Sequence, residues 1–326
     1  MKNIHIAPPI QETTPSSSEY YASDRERLIC QLCDNLNSRF GINPNQKMVA
    51  KLSRIFIDMG LTELHRRVIE LTSLTTSHPS WLELVAKLTV HETYFFRDEP
   101  QLGMLRDNLL PNLIDQAAEK SPPHLRVLSA GCSSGEEVYS IAMLVLDAML
   151  DAGYAYGNEF TGISVMPGWQ LEIIGVDVSA DALKLANNAC YSKEGLGSFR
   201  NMSLQWQRWF DDIGSTPDEP SQIYRRPKDF IRKITRFEQH NLLQTGIRFG
   251  LFDLVVCRNT MIYFNDTKKR IAQNYLFDVL KPGGIVLLGA TDPLLCPDRC
   301  ERYRSRGVAY YSQNRSNLRS ETTKTA

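Results

Sequence analysis

The chain has 326 residues, 42% of them hydrophobic, which suits one or two domains with substantial cores. Lys plus Arg and Asp plus Glu number 37 each, so bulk charge offers no attraction to nucleic acid. No apolar run approaches the roughly 20 residues of a membrane helix, and the seven cysteines come with no apolar signal core at the start, so a protein not embedded in a membrane, with reduced thiols in the cytoplasm, is expected.

In chain order, residues 1–23, rich in Pro, Ser and Thr, read as a disordered tail. Helical spacing then predicts helices over Asp24–Arg39 ending at Gly41, Asn45–Met59 ending at Gly60, Leu64–Thr72 and Trp81–Leu88, which together make a small all-helical domain over 24–92. Residues 93–112 read as a linker carrying Thr93-Tyr94-Phe95-Phe96-Arg97-Asp98. Strands are expected at Arg126–Ala130, Glu172–Val178, Ile234–Asn241, Phe252–Cys257, Gly284–Ala290 and Gly307–Ser312, with helices at Glu136–Leu150, Ala180–Ala189 and Thr267–Val279. Such alternation predicts an α/β domain over 113–315, built on a parallel sheet covered on both faces. Lys281-Pro282-Gly283-Gly284 reads as a turn before a buried strand, Tyr154–Gln170 as an inserted loop, and Tyr191–Lys233 as a cap or subdomain beside the site. A second tail is expected at 316–326. Cys30 and Cys33 have a packing explanation and Cys296 and Cys300 are loosely spaced, so no metal site is expected.

The stretch from Leu125 to Val145 carries the most specific chemistry. A buried strand enters Ser129-Ala130-Gly131-Cys132-Ser133-Ser134-Gly135, and a helix opens with Glu136-Glu137. A second apolar strand, Ile173-Ile174-Gly175-Val176, ends in Asp177. A strand, a glycine turn, a helix and an acid at the next strand tip form a nucleoside pocket, in which the acid can accept hydrogen bonds from both ribose hydroxyls. The glycines do not follow the dinucleotide spacing, and two glutamates at a helix start repel a pyrophosphate. They suit a ligand with hydroxyls, an ammonium or a sulfonium, as S-adenosylmethionine has; the other reading is that they only complement the helix dipole. Further on, Phe252-Asp253-Leu254-Val255-Val256-Cys257 leads to Arg258-Asn259-Thr260-Met261-Ile262-Tyr263-Phe264, at a strand end where ligand-binding groups gather.

Together with Asn241-Leu242-Leu243 and Leu280-Lys281-Pro282-Gly283-Gly284, these motifs make the chain resemble the CheR family, the S-adenosylmethionine-dependent methyltransferases of chemotaxis receptors, over roughly Asp24 to Ser312. The resemblance implies a Rossmann-like class I methyltransferase sheet preceded by a small helical domain. It implies methyl transfer to glutamates of a methyl-accepting chemotaxis receptor's cytoplasmic domain, with S-adenosylhomocysteine as product. Carried over by motif, Thr93 and Arg97 touch the methionine end of the cofactor, Gly131 belongs to its glycine turn, Glu137 binds its polar end and Asp177 its ribose. Asn241 and Leu242 frame the adenine, Arg258 and Asn259 line the pocket beside the methyl group, and Tyr263 faces the acceptor. Where the family usually has Asn two places before Thr93, this chain has His91, and Gly289-Ala290-Thr291-Asp292 replaces a Gly-x-Ser-Glu pattern.

The reaction so implied needs no general base, because a glutamate carboxylate with a pKa of about 4.3 is ionised at neutral pH. Arg97 and Tyr263 are the expected catalytic residues. The alternatives are a methyltransferase acting on a non-receptor protein or small molecule, and a non-catalytic S-adenosylmethionine-binding signalling module.

Overall fold

The computed structural model describes residues 24–42, 46–89, 92–193, 197–200, 202–216 and 219–313; the tails expected at 1–23 and 316–326, and His91, lie outside the described residues. The chain opens with α1 (Asp24–Asn35), which continues as a π-helical turn over Leu36–Phe40 and stops at Gly41 (φ +67). Next come α2 (Gln46–Ile55), α3 (Leu61–Ser73) and α4 (Pro79–Leu88). Their apolar stripes meet in a core of their own, with Leu32, Leu36, Phe40, Leu52, Leu64 and Trp81 fully or almost fully buried. The Trp81 indole N–H, which would otherwise be orphaned there, donates to the Leu71 carbonyl at 2.7 Å.

The segment expected as a linker is largely helical. Helix α5 (Glu99–Met104), a π stretch over Leu105–Leu109 and α6 (Leu110–Ala118) follow one another without a break. Leu102, Leu105, Leu109, Leu113 and Ala117 recur at helical spacing on the buried side, which makes this segment helix rather than linker.

The sheet follows as β1 (His124–Ala130), α7 (Glu136–Asp151), the hairpin β2 (Ala155–Asn158) and β3 (Gly162–Val165), then β4 (Gln170–Asp177) and α8 (Ala180–Asn188). The expected inserted loop is thus largely that hairpin. The expected cap contains a separate three-stranded antiparallel sheet of β5 (Tyr191–Ser192), β6 (Phe210–Thr216) and β7 (Glu219–Pro227), with the short helices α9 (Leu204–Gln207) and α10 (Asp229–Arg232). Its aromatics Trp206, Trp209 and Phe210 are buried, and they join the core of α7 and the main sheet rather than a local core of their own. The main sheet resumes with β8 (Thr235–Gln239), β9 (Phe252–Cys257), α11 (Asp266–Asp278), β10 (Leu280–Leu288), β11 (Cys300–Ser305) and β12 (Val308–Gln313).

The seven strands run in the order β11-β12-β10-β9-β1-β4-β8. From β10 to β8 all pairings are parallel, whereas β10, β12 and β11 pair antiparallel. The all-parallel expectation therefore fails at one edge. The unforeseen β11 carries Glu301, Arg302 and Arg304, a charged solvent-facing strand that blunts the edge. Residues Lys281–Gly284 form an irregularity inside β10, where the pairing register jumps between Leu280 and Ile285, rather than a turn before it. Strand order reverses about β1, which lies between β9 and β4, so the carboxyl ends of these three strands frame a crevice.

At the opposite end, buried Asp253 joins β9 to its surroundings. It accepts from Lys120 Nζ at 2.7 Å, Lys281 Nζ at 2.8 Å and the Arg126 backbone N–H at 2.8 Å. Burial raises the cost of its charge, but hydrogen bonds from Lys120, Lys281 and Arg126 outweigh it and hold the carboxyl below its ordinary pKa. Its contribution to stability is therefore present above the unfolded carboxyl pKa and is lost as pH falls through the lower folded value. Asp253→Asn is expected to cost about 1–3 kcal/mol in urea unfolding at neutral pH, because it leaves two half-buried ammonium groups poorly matched, with the deficit shrinking at acid pH. An unchanged unfolding midpoint at pH 7 would remove this cluster from the stability of the sheet.

Candidate functional site

The crevice is shaped by backbone before side chains enter it. β1 ends at Ala130, and the amides of Gly131 and Cys132 both donate to the Val176 carbonyl, at 2.7 and 3.0 Å, pinning the turn to β4. Gly131 has φ +84, and a Cβ there would lie 2.1 Å from Thr260 Oγ1, so glycine alone fits. The turn then aims the Ser133 N–H at Asp177 Oδ2, 2.9 Å away, while Asp177 Oδ1 accepts from the Ser179 N–H at 2.8 Å. Asp177 is 7% exposed. With one backbone donor on each oxygen, each keeps acceptor capacity toward the crevice.

The two glutamates of α7 play different parts. Glu136 faces the interior, where Ser134 Oγ and Ser198 Oγ donate to it at 2.7 Å each. Burial raises its pKa, with the Ser198 and Ser134 hydrogen bonds offsetting part of the effect. It ties the segment after β5 to the helix start and does not line the crevice, so the reading of both glutamates as ligand-facing is corrected for Glu136. Glu137 does line it, accepting from Ser129 Oγ at 2.7 Å and from Arg258 at 3.1 Å.

Arg258 is the most connected side chain of the site. It is 2% exposed, and its guanidinium donates to Gln101 Oε1 (2.9 Å), Glu137 Oε2 (3.1 Å), Asp98 Oδ2 (3.0 Å) and the Arg97 carbonyl. Gln101 is itself held by donation to the Leu288 carbonyl at 2.8 Å. Arg258 thus lines the cleft with its charge committed to protein acceptors, and positions Glu137 and the Arg97–Asp98 turn. That turn is locally strained: Phe96 and Asp98 both have positive φ, of 57 and 59°. It is tied down by the Phe95 N–H donating to the Ser198 carbonyl at 2.8 Å and the Phe96 N–H donating to Ser140 Oγ at 3.0 Å. The Phe95 ring packs among Tyr191, Phe199 and Phe210, and Phe96 stacks on Trp206.

The resulting cleft holds about 1060 Å³ of open space, mouth included. Of the residues singled out from sequence, Thr93, Arg97, Gly131, Glu137, Asp177, Asn241, Leu242, Arg258, Asn259 and Tyr263 line it. Asn241 Oδ1 accepts from the Leu243 N–H at 3.0 Å, which orients the side chain, and Asn259 sits in the left-handed region at φ 55. Sequence reasoning missed one wall, made by Phe40, Val85 and Thr89 of the helical part. Phe40 belongs to a helical stripe, and nothing local separates it from an ordinary core residue. The two parts are joined beside Tyr263, where Ile42 bridges Phe264, and the Asn265 N–H donates to the Gly41 carbonyl at 2.6 Å.

The donor set fits S-adenosylmethionine. The acceptors Asp177 and Glu137 suit hydroxyls and an ammonium, Leu242, Leu243 and Val178 offer apolar surface for a base, and no phosphate cradle is needed. On the rim, Arg97 donates to the Glu92 carbonyl at 2.6 Å, with its guanidinium 5.8 Å from the Tyr94 ring centroid. Among the described residues no group of three or more His, Cys, Asp or Glu could hold a metal, and no helix is long and apolar enough to cross a membrane.

Residues 91–307 match the family described as CheR methyltransferase, SAM binding domain. A chemotaxis protein methyltransferase of Vibrio parahaemolyticus is 32% identical over 69% of this chain and 74% of its own. Chemotaxis protein methyltransferase 1 of Pseudomonas aeruginosa is 30% identical over 83% of this chain and 90% of its own. One from Borreliella burgdorferi is 26% identical over 79% of this chain and 84% of its own.

Behind the cleft lies Asp292, after β10 and against the backbone of Arg258 and Asn259 across Gly289. Burial raises its carboxyl pKa to about 6, and the Asn259 N–H and the charge of Lys269 offset only part of that. Because the folded value is raised, the favourable contribution of the neutral acid is complete below the unfolded carboxyl pKa and is lost as pH rises through about 6. Asp292→Asn should therefore raise the melting temperature relative to the parent more at pH 7.5 than at pH 4.5; an equal difference at the two pH values would refute the buried-acid account.

Proposed function

Because the chain belongs to the CheR methyltransferase family, we propose that it transfers the methyl group of S-adenosylmethionine to glutamate side chains on the cytoplasmic domain of a chemotaxis receptor, forming methyl esters in the cytoplasm. The observation that carries this reading is the convergence in one cleft of Asp177, with acceptor capacity left on both oxygens, and Arg97, a cation on the rim. One end suits a nucleoside and the other an anionic acceptor.

In this proposal Asp177 accepts from the ribose hydroxyls, and Glu137, steered by Arg258 and Ser129, accepts from the ammonium of the methionine part. Asn241 and Leu242 frame the adenine, Gly131 allows the close approach, and Thr93 and Asn259 complete the lining. Bound S-adenosylmethionine supplies a methyl carbon made electrophilic by the positive sulfur, and leaves as S-adenosylhomocysteine. The acceptor glutamate arrives already ionised, so no residue has to remove a proton. What the protein contributes is alignment and exclusion of water. Arg97 orients the acceptor carboxylate by charge-assisted hydrogen bonds, and Tyr263 positions it or contacts the sulfonium electrostatically. The helical part supplies a wall through Phe40, Val85 and Thr89, and so shields the reacting groups.

Offered labelled cofactor and a receptor cytoplasmic fragment, the protein should leave base-labile label on glutamates; base-stable label, or none, would refute the ester. Arg97→Ala should lower kcat roughly 30- to 1000-fold, the equivalent of about 2–4 kcal/mol for one preorganised donor. Unchanged turnover would take Arg97 out of the reaction.

A further inference from the structure

A second arginine stands beside Arg97. Arg200, from the segment between β5 and α9, lies over the same aromatic ring, its guanidinium carbon 4.1 Å from the Tyr94 centroid. Its Nη2 donates to Glu92 Oε1 at 2.6 Å. Glu92 therefore touches both arginines, with its carbonyl on Arg97 and its carboxylate on Arg200. The Arg200 hydrogen bond, with its charge, holds the Glu92 carboxyl below the ordinary carboxylate range. The partners differ in exposure: the Arg200 side chain is 22% exposed and fixed over Tyr94, whereas that of Glu92 is 62% exposed.

An ion pair with so exposed a carboxylate is readily exchanged, since water and other anions compete for it. The guanidinium, by contrast, is preorganised by its ring, and a planar fork suits a carboxylate. Glu92 and Tyr94 line the cleft, and Tyr94 also lines a neighbouring groove with Phe96, Ser203 and Trp206, so Arg200 is tied to the cleft through these two residues. We propose that Arg200 binds a second carboxylate of the acceptor, next to the one that is methylated, and that Glu92 occupies this guanidinium until the acceptor displaces it. Arg200 is then an acceptor-binding residue that makes the enzyme select acidic surroundings for its target glutamate. The inference rests on the glutamate-ester reading given above.

The test uses the full chain with labelled cofactor and two probes: a chemotaxis-receptor cytoplasmic fragment, and the same fragment with the acidic residues around its methylated glutamates changed to the corresponding amides. On the acidic fragment, Arg200→Ala should raise KM about tenfold, as for loss of one hydrogen bond to a charged group, with kcat little changed. Arg200→Lys should recover part of that loss, and Glu92→Gln should lower KM by removing the competitor. On the amidated fragment, the parent and Arg200→Ala should share one KM. Calorimetric titration with S-adenosylhomocysteine checks that each variant is folded. An unchanged KM for Arg200→Ala on the acidic fragment, or an equal rise on both fragments, overturns the assignment. A parent that labels neither fragment overturns the glutamate-ester reading instead, and so separates the two failures.

Discussion

A guanidinium taken out of water has to find its compensation inside the protein, and Arg258 finds it in four directions. With a side chain only 2% exposed, it engages Gln101, Glu137, Asp98 and the Arg97 carbonyl. Leaving one of these acceptors out would strand charge in a low-dielectric setting, which is costly. The requirement joins the tip of β9, the first turn of α7, the start of α5 and the strained Phe-Phe-Arg turn into one unit. The positions of Glu137 and of the Arg97–Asp98 turn follow from how this buried cation is satisfied.

The other side of the cleft is set by backbone geometry. The Gly131 turn hangs from Val176, and the following Ser133 amide meets Asp177. Both hydrogen bonds are made within the protein, and they hold the acidic acceptor at the strand-order reversal, where parallel sheets leave room for a ligand. Preorganisation of this kind lowers the ordering cost of binding. It also fits a reaction in which the acceptor is already ionised and alignment is the main task.

The rim differs in kind. Arg97 and Arg200 flank Tyr94 in a half-open setting, and their hydrogen-bond partner Glu92 is well exposed. Buried Arg258 cannot change partners without a large penalty, whereas the Arg200–Glu92 pair lies at the surface, where ion pairs are worth little. In the proposed reaction the stiff side holds one small molecule in a fixed pose, and the rim receives an acceptor that arrives and departs. The helical part contributes by closing a wall with Phe40, Val85 and Thr89 and by seating Gly41 and Ile42 against the segment after Tyr263.

Elements with a local code were legible from the residues alone: the stripes of α1 to α4, the buried runs of β1, β4 and β9, the glycine turn, and Asp177 at a strand tip. Their periods and turn chemistry act over a few residues, and so they are written along the chain. The helix over 99–118 carries an equally local code in Leu102, Leu105, Leu109, Leu113 and Ala117. The antiparallel edge at β11 and β12 was not legible, because a short charged strand becomes a strand only when a neighbour pairs with it. Nor was the division of labour between Glu136 and Glu137, adjacent in sequence yet facing different surroundings. Arg258 shows why: its partners Gln101 and Glu137 lie 157 and 121 residues away. Sequence by itself determined the motif groups that gather at the strand tips, but not the wall of Phe40, Val85 and Thr89, which no motif carries. Only the tertiary structure decided which of those groups spend their charge on one another and which keep it for a ligand, because that depends on distance and burial between segments far apart in the chain.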